Sequence, residues 1–218
     1  MELIRCADPE ACAQATARLM ADAIAGGARQ LALSGGSGPP RVLELLSGLV
    51  SDWEDVVLWY GDERCVPPDD EDSNHKLCTE ALDAPGAQWQ RVLGELGPEE
   101  AALRYAQALE GVTIDVALNG MGPDGHTASL FPGHDAEIAA DGPTVAVHDA
   151  PKPPPERVSM TLGMLNRSHR IVLLVTGEGK AENLAKVLAG PDPSLPASLL
   201  DRDALVVVAD EAALAQVA

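Results

Sequence analysis

Short apolar runs alternate along this chain with longer segments whose apolar residues recur at helical spacing. The apolar runs predict buried strands over residues 30–34, 55–61, 114–120, 144–148, 170–177 and 204–210. The helical spacing predicts helices over residues 8–27, 41–49, 73–82, 98–111, 178–190 and 211–218. Alternating strands and helices are typical of a mostly parallel sheet with helices on both faces. We therefore predict a Rossmann-like α/β fold, with all 218 residues in a single domain.

Residues at the helix ends support these positions. Asp8 precedes the first predicted helix, and Ser73 is a candidate N-cap of the third. Pro98 begins the fourth helix and two glutamates follow it in the first turn. The proline-rich segment 149–157 is too short for a linker, so we expect it to be a surface loop.

Four distinctive loops directly follow predicted strands. They cover residues 34–40, 61–74, 120–133 and 176–180. Ligands of open α/β sheets bind outside the carboxyl ends of the strands, where such loops meet. We therefore expect the four loops to lie along one edge of the sheet and to form the functional site together.

The charge balance limits the classes of partner. The net charge is −19, with 34 acidic and 15 basic residues. Nucleic acids and anionic membranes need a basic surface, so we expect neither as a partner. A small anionic substrate remains possible, because a few basic side chains and backbone N–H groups can hold it locally. We expect the chain to act as a monomer.

Cysteine usage and the N-terminal sequence indicate a cellular compartment. Four cysteines, at positions 6, 12, 65 and 78, form no C-x-x-C pair and match no zinc-site spacing. We expect reduced thiols and no bound metal. The first residues resemble no signal peptide, and no apolar stretch approaches the roughly 20 residues that span a bilayer. The sequence therefore predicts a cytoplasmic protein.

The first of the four loops has the chemistry of an anion site. The segment LSGGSGPP runs from a strand through glycines into a helix. Successive backbone N–H groups and a helix N-terminus attract an anion there, and two hydroxyl groups add donors. The candidate phosphate-binding residues are Ser34, Gly35, Gly36 and Ser37. The loop has neither the Walker A nor the G-x-G-x-x-G pattern, so a plain turn is the alternative.

Basic residues occur in two of the other loops. Lys180 lies in TGEGK, at the start of a predicted helix, where it could bind the same anion as a point charge. Arg64 follows a strand in WYGDERC and could bind an anionic oxygen through its guanidinium group. A solvated charge cluster is the alternative for both segments.

A single histidine lies in the glycine-rich segment GMGPDGHTASLFPG. His126 can act as a base or an acid near neutral pH, because unperturbed imidazole titrates near pH 6.5. Asp62 or Asp124 could hold the ring in the required tautomer. If residues 126–131 begin a short helix, its positive end would keep the ring neutral. A histidine in an ordinary turn is the alternative.

The chemistry of the site is narrowed by the motifs that the sequence lacks. There is no G-x-S-x-G nucleophile elbow and no H-E-x-x-H zinc motif. We therefore expect neither a covalent intermediate nor a metal. A base with an arginine and rigid N–H donors suits the attack of water on an activated carbonyl, or proton transfer beside one. Backbone N–H groups of the glycine-rich segment are the expected oxyanion donors, and an arginine could add to them.

These segments, in this order, resemble the 6-phosphogluconolactonase family over nearly the whole chain. The most specific pair is GDER at residues 61–64 and DGHTASLFP at residues 124–132. The resemblance implies hydrolysis of a small phosphorylated sugar lactone, 6-phospho-D-glucono-1,5-lactone, without metal or cofactor. It implies His126 as the general base. It also implies that the phosphate end is bound by Gly35, Gly36, Ser37, Arg64 and Lys180, with Arg157 near the site as a further substrate- or phosphate-binding residue.

The resemblance has one departure and leaves two other functions open. The family usually has threonine where this chain has Gly38, so one hydroxyl donor is missing and we expect weaker substrate binding. A glucosamine-6-phosphate deaminase or isomerase is the nearest alternative, although those enzymes continue differently after Asp-Gly-His. A non-catalytic sugar-phosphate sensor is the second alternative, and the presence of His126 argues against it.

Overall fold

The computed structural model describes residues 1–217, which contain two β-sheets. The larger sheet has seven strands, and all of its neighbouring pairs are parallel. With strands numbered along the chain, its order is β1 (Glu2–Cys6), β10 (Leu205–Asp210), β9 (Arg170–Val175), β6 (Val116–Gly120), β2 (Gln30–Leu33), β3 (Val57–Tyr60) and β5 (Gln88–Trp89). The predicted parallel sheet is therefore confirmed.

A smaller antiparallel sheet was not predicted. Its order is β4 (Asp62–Arg64), β8 (Arg157–Met160) and β7 (Thr144–Val147). The predicted strand 144–148 exists, but it belongs to this sheet and not to the parallel one. The register of β4 and β8 pairs Arg64 with Arg157. Pairing between distant segments thus brings two cationic residues side by side.

Five helices match the predicted positions closely. They are α1 (Pro9–Ala25), α2 (Pro39–Leu49), α3 (Asn74–Ala81), α4 (Pro98–Ala108) and α7 (Ala181–Ala189). The four-residue helices α5 (Asp135–Ile138) and α6 (Leu162–Leu165) were not predicted. Asp8 caps α1 by accepting a hydrogen bond from the N–H of Ala11 at 2.8 Å. Ser73 caps α3 in the same way through the N–H of Lys76 at 3.2 Å. Both caps satisfy N–H groups that lack partners inside the helix.

One predicted helix is wrong, and a second segment that could begin a helix does not. Residues 126–131 form a turn closed by a bridge between Thr127 and Leu130, so no helix end acts on His126. Residues 211–216 form turns instead of a terminal helix, because Asp210 accepts the N–H groups of Ala213 and Leu214 within a tight turn. The last residue of that predicted helix, at position 218, lies outside the described residues.

The residues on both faces of the central strands are buried. Successive residues of a strand point to opposite faces of its sheet. In β9 every residue after Arg170 is buried, and all six residues of β10 are buried. The core around them consists mainly of Val, Leu, Ile and Ala side chains. Within residues 1–217 we find no helix with the length and apolar character needed to cross a membrane.

The strand order places the four loops next to one another. The loops follow β2, β3, β6 and β9, which are four adjacent strands of the parallel sheet. From β2 the chain proceeds to β3 and β5 on one side, and it later returns through β6 to β9 and β10 on the other. Loops that leave neighbouring strands in opposite directions open a crevice between them. The fold therefore creates a cleft at the carboxyl ends of β2 and β6.

Candidate active site

A cavity of about 330 Å³ occupies this cleft. Its size lies within the usual range for small-molecule sites, roughly 300–1,000 Å³. The four loops and the proline-rich loop at residues 149–157, named here the proline loop, all contribute to its lining. Every predicted site residue lines the cavity except Asp124, which contacts the lining residue His126 from one side.

The glycine loop, residues 34–40, presents unoccupied donors to the cavity. Across the described chain, the N–H groups of residues 35–38 donate no hydrogen bond. Gly36 has a φ of +92°, a conformation that residues with a side chain rarely adopt, and this turn exposes the N–H groups. Helix α2 begins within this segment, at Pro39, directly after Gly38. The loop therefore has the free donors and the helix end that an anion site requires.

Asn74 connects the glycine loop to Asp62, and sequence reasoning missed it. The Nδ2 group of Asn74 donates to the backbone oxygen of Asp62 at 2.9 Å and to its Oδ1 at 3.3 Å. The amide side chain lies against Gly35, where any Cβ atom would overlap Asn74. Asn74 is 1% exposed, and its Oδ1 has no partner within residues 1–217. Its position after the N-cap Ser73 is the only sequence signal that could have indicated it.

His126 is paired with Asp124. Its Nδ1 lies 2.5 Å from Oδ1 of Asp124, and its ring packs against Phe131 with 4.7 Å between centroids. Burial raises the pKa of Asp124, but the charge and hydrogen bonds of His126 outweigh this effect and the pKa is lowered. An ionised Asp124 accepts the Nδ1 proton, so Nε2 keeps its lone pair. The pair thus favours the tautomer that a general base needs.

Asp62 has other partners. Its Oδ2 accepts a hydrogen bond from the Ser129 hydroxyl at 2.6 Å, and its Oδ1 accepts from Asn74. The structure gives it no hydrogen bond to His126 within residues 1–217. Of the two carboxylates that the sequence left open, Asp124 is the one in contact with the imidazole. Asp62 is 6% exposed, and its carboxylate connects Ser129 with Asn74 through these hydrogen bonds.

The glycines beside His126 do not supply free N–H donors. The N–H of Gly122 donates to the carbonyl of His126 at 2.9 Å, and the N–H of Gly125 donates to the carbonyl of Gly122 at 3.0 Å. Both bonds close the turn that holds the histidine. The N–H groups of Gly122 and Gly125 are therefore not available to an oxyanion, because backbone carbonyls already occupy them.

Four cationic side chains line the cavity of this acidic protein: Arg64, Lys152, Arg157 and Lys180. None forms an ion pair with a carboxylate in the described part of the chain. Arg64 donates from Nη1 to the backbone oxygen of Asp72 at 2.6 Å, whereas its Nε is buried without a partner. Lys152 was not predicted from the sequence. The available signal was its position in the proline-rich segment 149–157, which ends at Arg157.

Potential metal ligands come together elsewhere. In residues 1–217 one group of three meets this description, formed by His134, Glu137 and Asp149, whose ligand atoms lie within 4.8 Å of one another. None of the three lines the cavity. The cavity itself offers hydrogen-bond donors and positive charges, which are the groups that bind an anion.

The fold and the cavity together define an α/β protein whose cleft combines free N–H groups and cationic side chains with a histidine–aspartate pair. The family model for glucosamine-6-phosphate isomerases and 6-phosphogluconolactonase matches residues 7–208. A 6-phosphogluconolactonase of Mycobacterium tuberculosis is 39% identical over 204 residues, which cover 80% of this chain and 83% of the relative. The chain belongs to the family of glucosamine-6-phosphate isomerases and 6-phosphogluconolactonases.

Solved structures agree with this assignment. The crystal structure of a 6-phosphogluconolactonase from Shewanella baltica has a TM-score of 0.85 and 28% identity, covering 96% of this chain and 97% of that one. A monomeric glucosamine-6-phosphate deaminase has a TM-score of 0.87 at 24% identity, covering 99% of this chain and 100% of that one. The second likeness concerns the fold alone.

Proposed function

We propose that this chain hydrolyses 6-phospho-D-glucono-1,5-lactone to 6-phospho-D-gluconate in the oxidative pentose phosphate pathway. The observation that supports this most directly is the His126–Asp124 pair, which faces the same cavity as the free N–H groups of the glycine loop. Relatives named 6-phosphogluconolactonase, at 39% identity over most of the chain, support the choice of substrate.

The phosphate group binds at the glycine loop in this proposal. The N–H groups of residues 35–38 donate to its oxygens, with Arg64 and Lys180 supplying positive charge. A dianion held by charge-assisted hydrogen bonds is fixed in position. Binding at one end of the substrate then places the lactone carbonyl near His126, which gains rate by proximity and orientation.

His126 acts as the general base. Its Nε2 removes a proton from a water molecule as the water oxygen attacks the lactone carbonyl carbon. The cationic side chains that line the cavity stabilise the resulting oxyanion. When the oxyanion collapses, the bond between the carbonyl carbon and the ring oxygen breaks. The imidazolium returns its proton to that oxygen, while Asp124 stabilises the positive ring.

The magnitudes required are modest. General-base catalysis contributes about 10²–10⁴-fold in rate. Electrostatic stabilisation of the oxyanion contributes on the order of 10²–10³-fold per donor. Lactones already hydrolyse in water, so these two effects are sufficient without a metal, cofactor or covalent intermediate.

A single chain suffices for this chemistry. All the groups assigned to binding and to proton transfer come from one copy of the protein. We propose that it acts as a monomer, in the cytoplasm, on a small phosphorylated lactone, and its net charge of −19 argues against a nucleic acid as partner.

Generating the lactone in situ tests the proposal. Release of 6-phosphogluconate is followed by coupled NADP reduction, with spontaneous hydrolysis subtracted and His126→Gln measured beside the wild type. We expect rapid wild-type turnover and a fall in kcat of about 10²–10⁴-fold in the variant. An absence of acceleration over water would refute the lactonase function, and ammonia release from glucosamine 6-phosphate would then be assayed. A variant retaining more than about a tenth of kcat would exclude His126 as the base.

A further inference from the structure

Arg157 holds the proline loop in its folded shape. The Nη2 of Arg157 donates to the backbone oxygen of Lys152 at 2.8 Å, and its Nε donates to the backbone oxygen of Pro154 at 3.0 Å. Its Nη1 lies 3.5 Å from the hydroxyl of Ser129. Three of the five N–H groups of this side chain are therefore directed at acceptors of the protein itself.

Packing fixes this arginine further. Its guanidinium carbon lies 5.6 Å from the centroid of the Phe131 ring, and the residue is only 6% exposed. Burial lowers the pKa of Arg157, an effect opposed by the negative charge of Asp62. A buried guanidinium that is bonded to two loop carbonyls and stacked on an aromatic ring has little freedom to reorient toward a substrate.

Lys152 has the opposite character. It is exposed, lines the cavity and has no ion-pair partner in residues 1–217. The charge of its ammonium group affects the pKa of Lys180. Burial lowers the pKa of Lys180, and the charge of Lys152 adds to this effect against the opposing charge of Asp210. Two ammonium groups that repel each other across a cavity are both stabilised when a dianion binds between them.

We propose that Lys152 is a substrate-binding residue that contacts the phosphate group together with Lys180, and that Arg157 is a positioning residue that holds Lys152 in place. This inference rests on the proposed function and refines it. It moves Arg157 from the phosphate-binding set, where the sequence placed it, to the support of the loop. Contact with the phosphate then gives the enzyme selectivity for phosphorylated over plain lactones.

The test measures both binding and turnover. The binding probes are 6-phosphogluconate and gluconate, titrated by calorimetry, and the substrates are the phosphorylated lactone and D-glucono-1,5-lactone. The variants are Lys152→Gln, Lys152→Arg, Arg157→Gln and the double variant of Lys152→Gln with Arg157→Gln. Lys186→Gln is the matched control, because Lys186 is a surface lysine of α7 that pairs with Glu182 at 2.7 Å.

We expect Lys152→Gln to weaken 6-phosphogluconate binding and raise KM by about tenfold or more, with kcat within about twofold. Lys152→Arg should restore most of the affinity, and Lys186→Gln should change neither value. Binding of gluconate and turnover of the plain lactone should be unaffected. Arg157→Gln should raise KM similarly, yet cost less than about twofold when Lys152 is already glutamine, because both changes remove one interaction.

Three results would overturn the inference. Unchanged affinity in Lys152→Gln would show that Lys152 does not touch the phosphate. Equal losses with phosphorylated and plain lactone would place Lys152 at the reacting carbonyl. Additive effects of the two substitutions would show that Arg157 contacts the substrate itself. If Arg157→Gln does not fold, Arg157→Lys replaces it in the cycle. The binding measurements need no turnover, so failure of the lactonase function would be detected separately.

Discussion

The Nδ1 atom of His126 lies 2.5 Å from Oδ1 of Asp124, only two residues earlier in the chain. A tight turn makes this contact possible. Gly125 between them has a φ of +87°, and a Cβ atom at Gly122 would overlap both side chains. The two glycines therefore allow a carboxylate to approach an imidazole ring within one turn. This relationship explains why so little side chain surrounds the proposed catalytic histidine.

Replacing Asp124 with asparagine tests the orientation of the ring. We expect kcat to fall by about tenfold or more, up to the 10²–10⁴-fold that a general base contributes, because the amide no longer favours one tautomer or stabilises the imidazolium. KM should change little, since Asp124 does not line the cavity. Steady-state kinetics on Asp124→Asn, with the exposed Asp141→Asn as the control, measure both values. Full activity in Asp124→Asn would contradict the assignment.

Gly35→Ala tests the contact between the glycine loop and Asn74. A Cβ atom at Gly35 would overlap the Asn74 side chain, so we expect a loss of about 1–3 kcal/mol in stability and a raised KM. The matched control is Gly48→Ala on the exposed side of α2, where a Cβ atom meets nothing within 4 Å. Alanine at position 48 should raise the free energy of unfolding by about 0.5–1 kcal/mol and leave KM unchanged. Thermal unfolding and kinetics on both variants provide the comparison.

Glu63 organises the loop that carries Arg64. Its carboxylate is 3% exposed and accepts the N–H groups of Arg64, Asn74 and His75, each at 2.7 Å. Glu63→Gln replaces one acceptor oxygen with a donor, so we expect a loss of about 1–3 kcal/mol in the free energy of unfolding. KM should rise as Arg64 and Asn74 lose their positions. Denaturant titration should show no such loss in the exposed control Glu54→Gln.

Lys180 makes phosphate binding sensitive to alkaline pH. Because burial lowers its pKa, the free protein loses this proton before the ordinary lysine range near pH 10.4. Affinity for 6-phosphogluconate should therefore fall earlier on the alkaline side, and binding there should be accompanied by proton uptake. Calorimetry in buffers of different ionisation enthalpy measures this uptake. Lys180→Arg should remove it, and persistence of the uptake would assign it to another group.

The same pKa shift affects stability. Between the folded-state and unfolded-state pKa values, the unfolded chain binds the additional proton, so the free energy of unfolding rises with pH. Lys180→Met removes the titrating group and should abolish this part of the pH dependence. Denaturant titrations of both proteins across the alkaline range give the difference.

Gly38 lies against Leu174, which leaves little room for a side chain at position 38. A Cβ atom at Gly38 would lie 3.1 Å from Cδ2 of Leu174, which lines the same cavity. Gly38→Thr alone should cost about 1–3 kcal/mol in stability. Combined with Leu174→Ala it should fit, and its hydroxyl should lower KM relative to Leu174→Ala alone. An equal or higher KM in the double variant would show that this hydroxyl does not reach the phosphate.

The order of strands, loops and helices follows from the sequence because hydrophobic periodicity is a local property. Parallel connections then require the loops after β2, β3, β6 and β9 to meet at one edge of the sheet. The proposed site residues could therefore be located before any contact was known. The turn at residues 126–131 cannot be distinguished from the start of a helix by pattern alone, because the sequence does not show the bridge between Thr127 and Leu130.

Contacts between distant segments required the tertiary structure. Asp62 is bonded to Ser129, 67 residues away, and this contact leaves Asp124 as the partner of His126. Pairing of β4 with β8 sets Arg64 opposite Arg157, and the carbonyls of the proline loop then occupy the guanidinium of Arg157. Periodicity identifies which residues lie in each element. Which partners their polar groups find depends on packing and strand register, which join segments that the sequence keeps far apart.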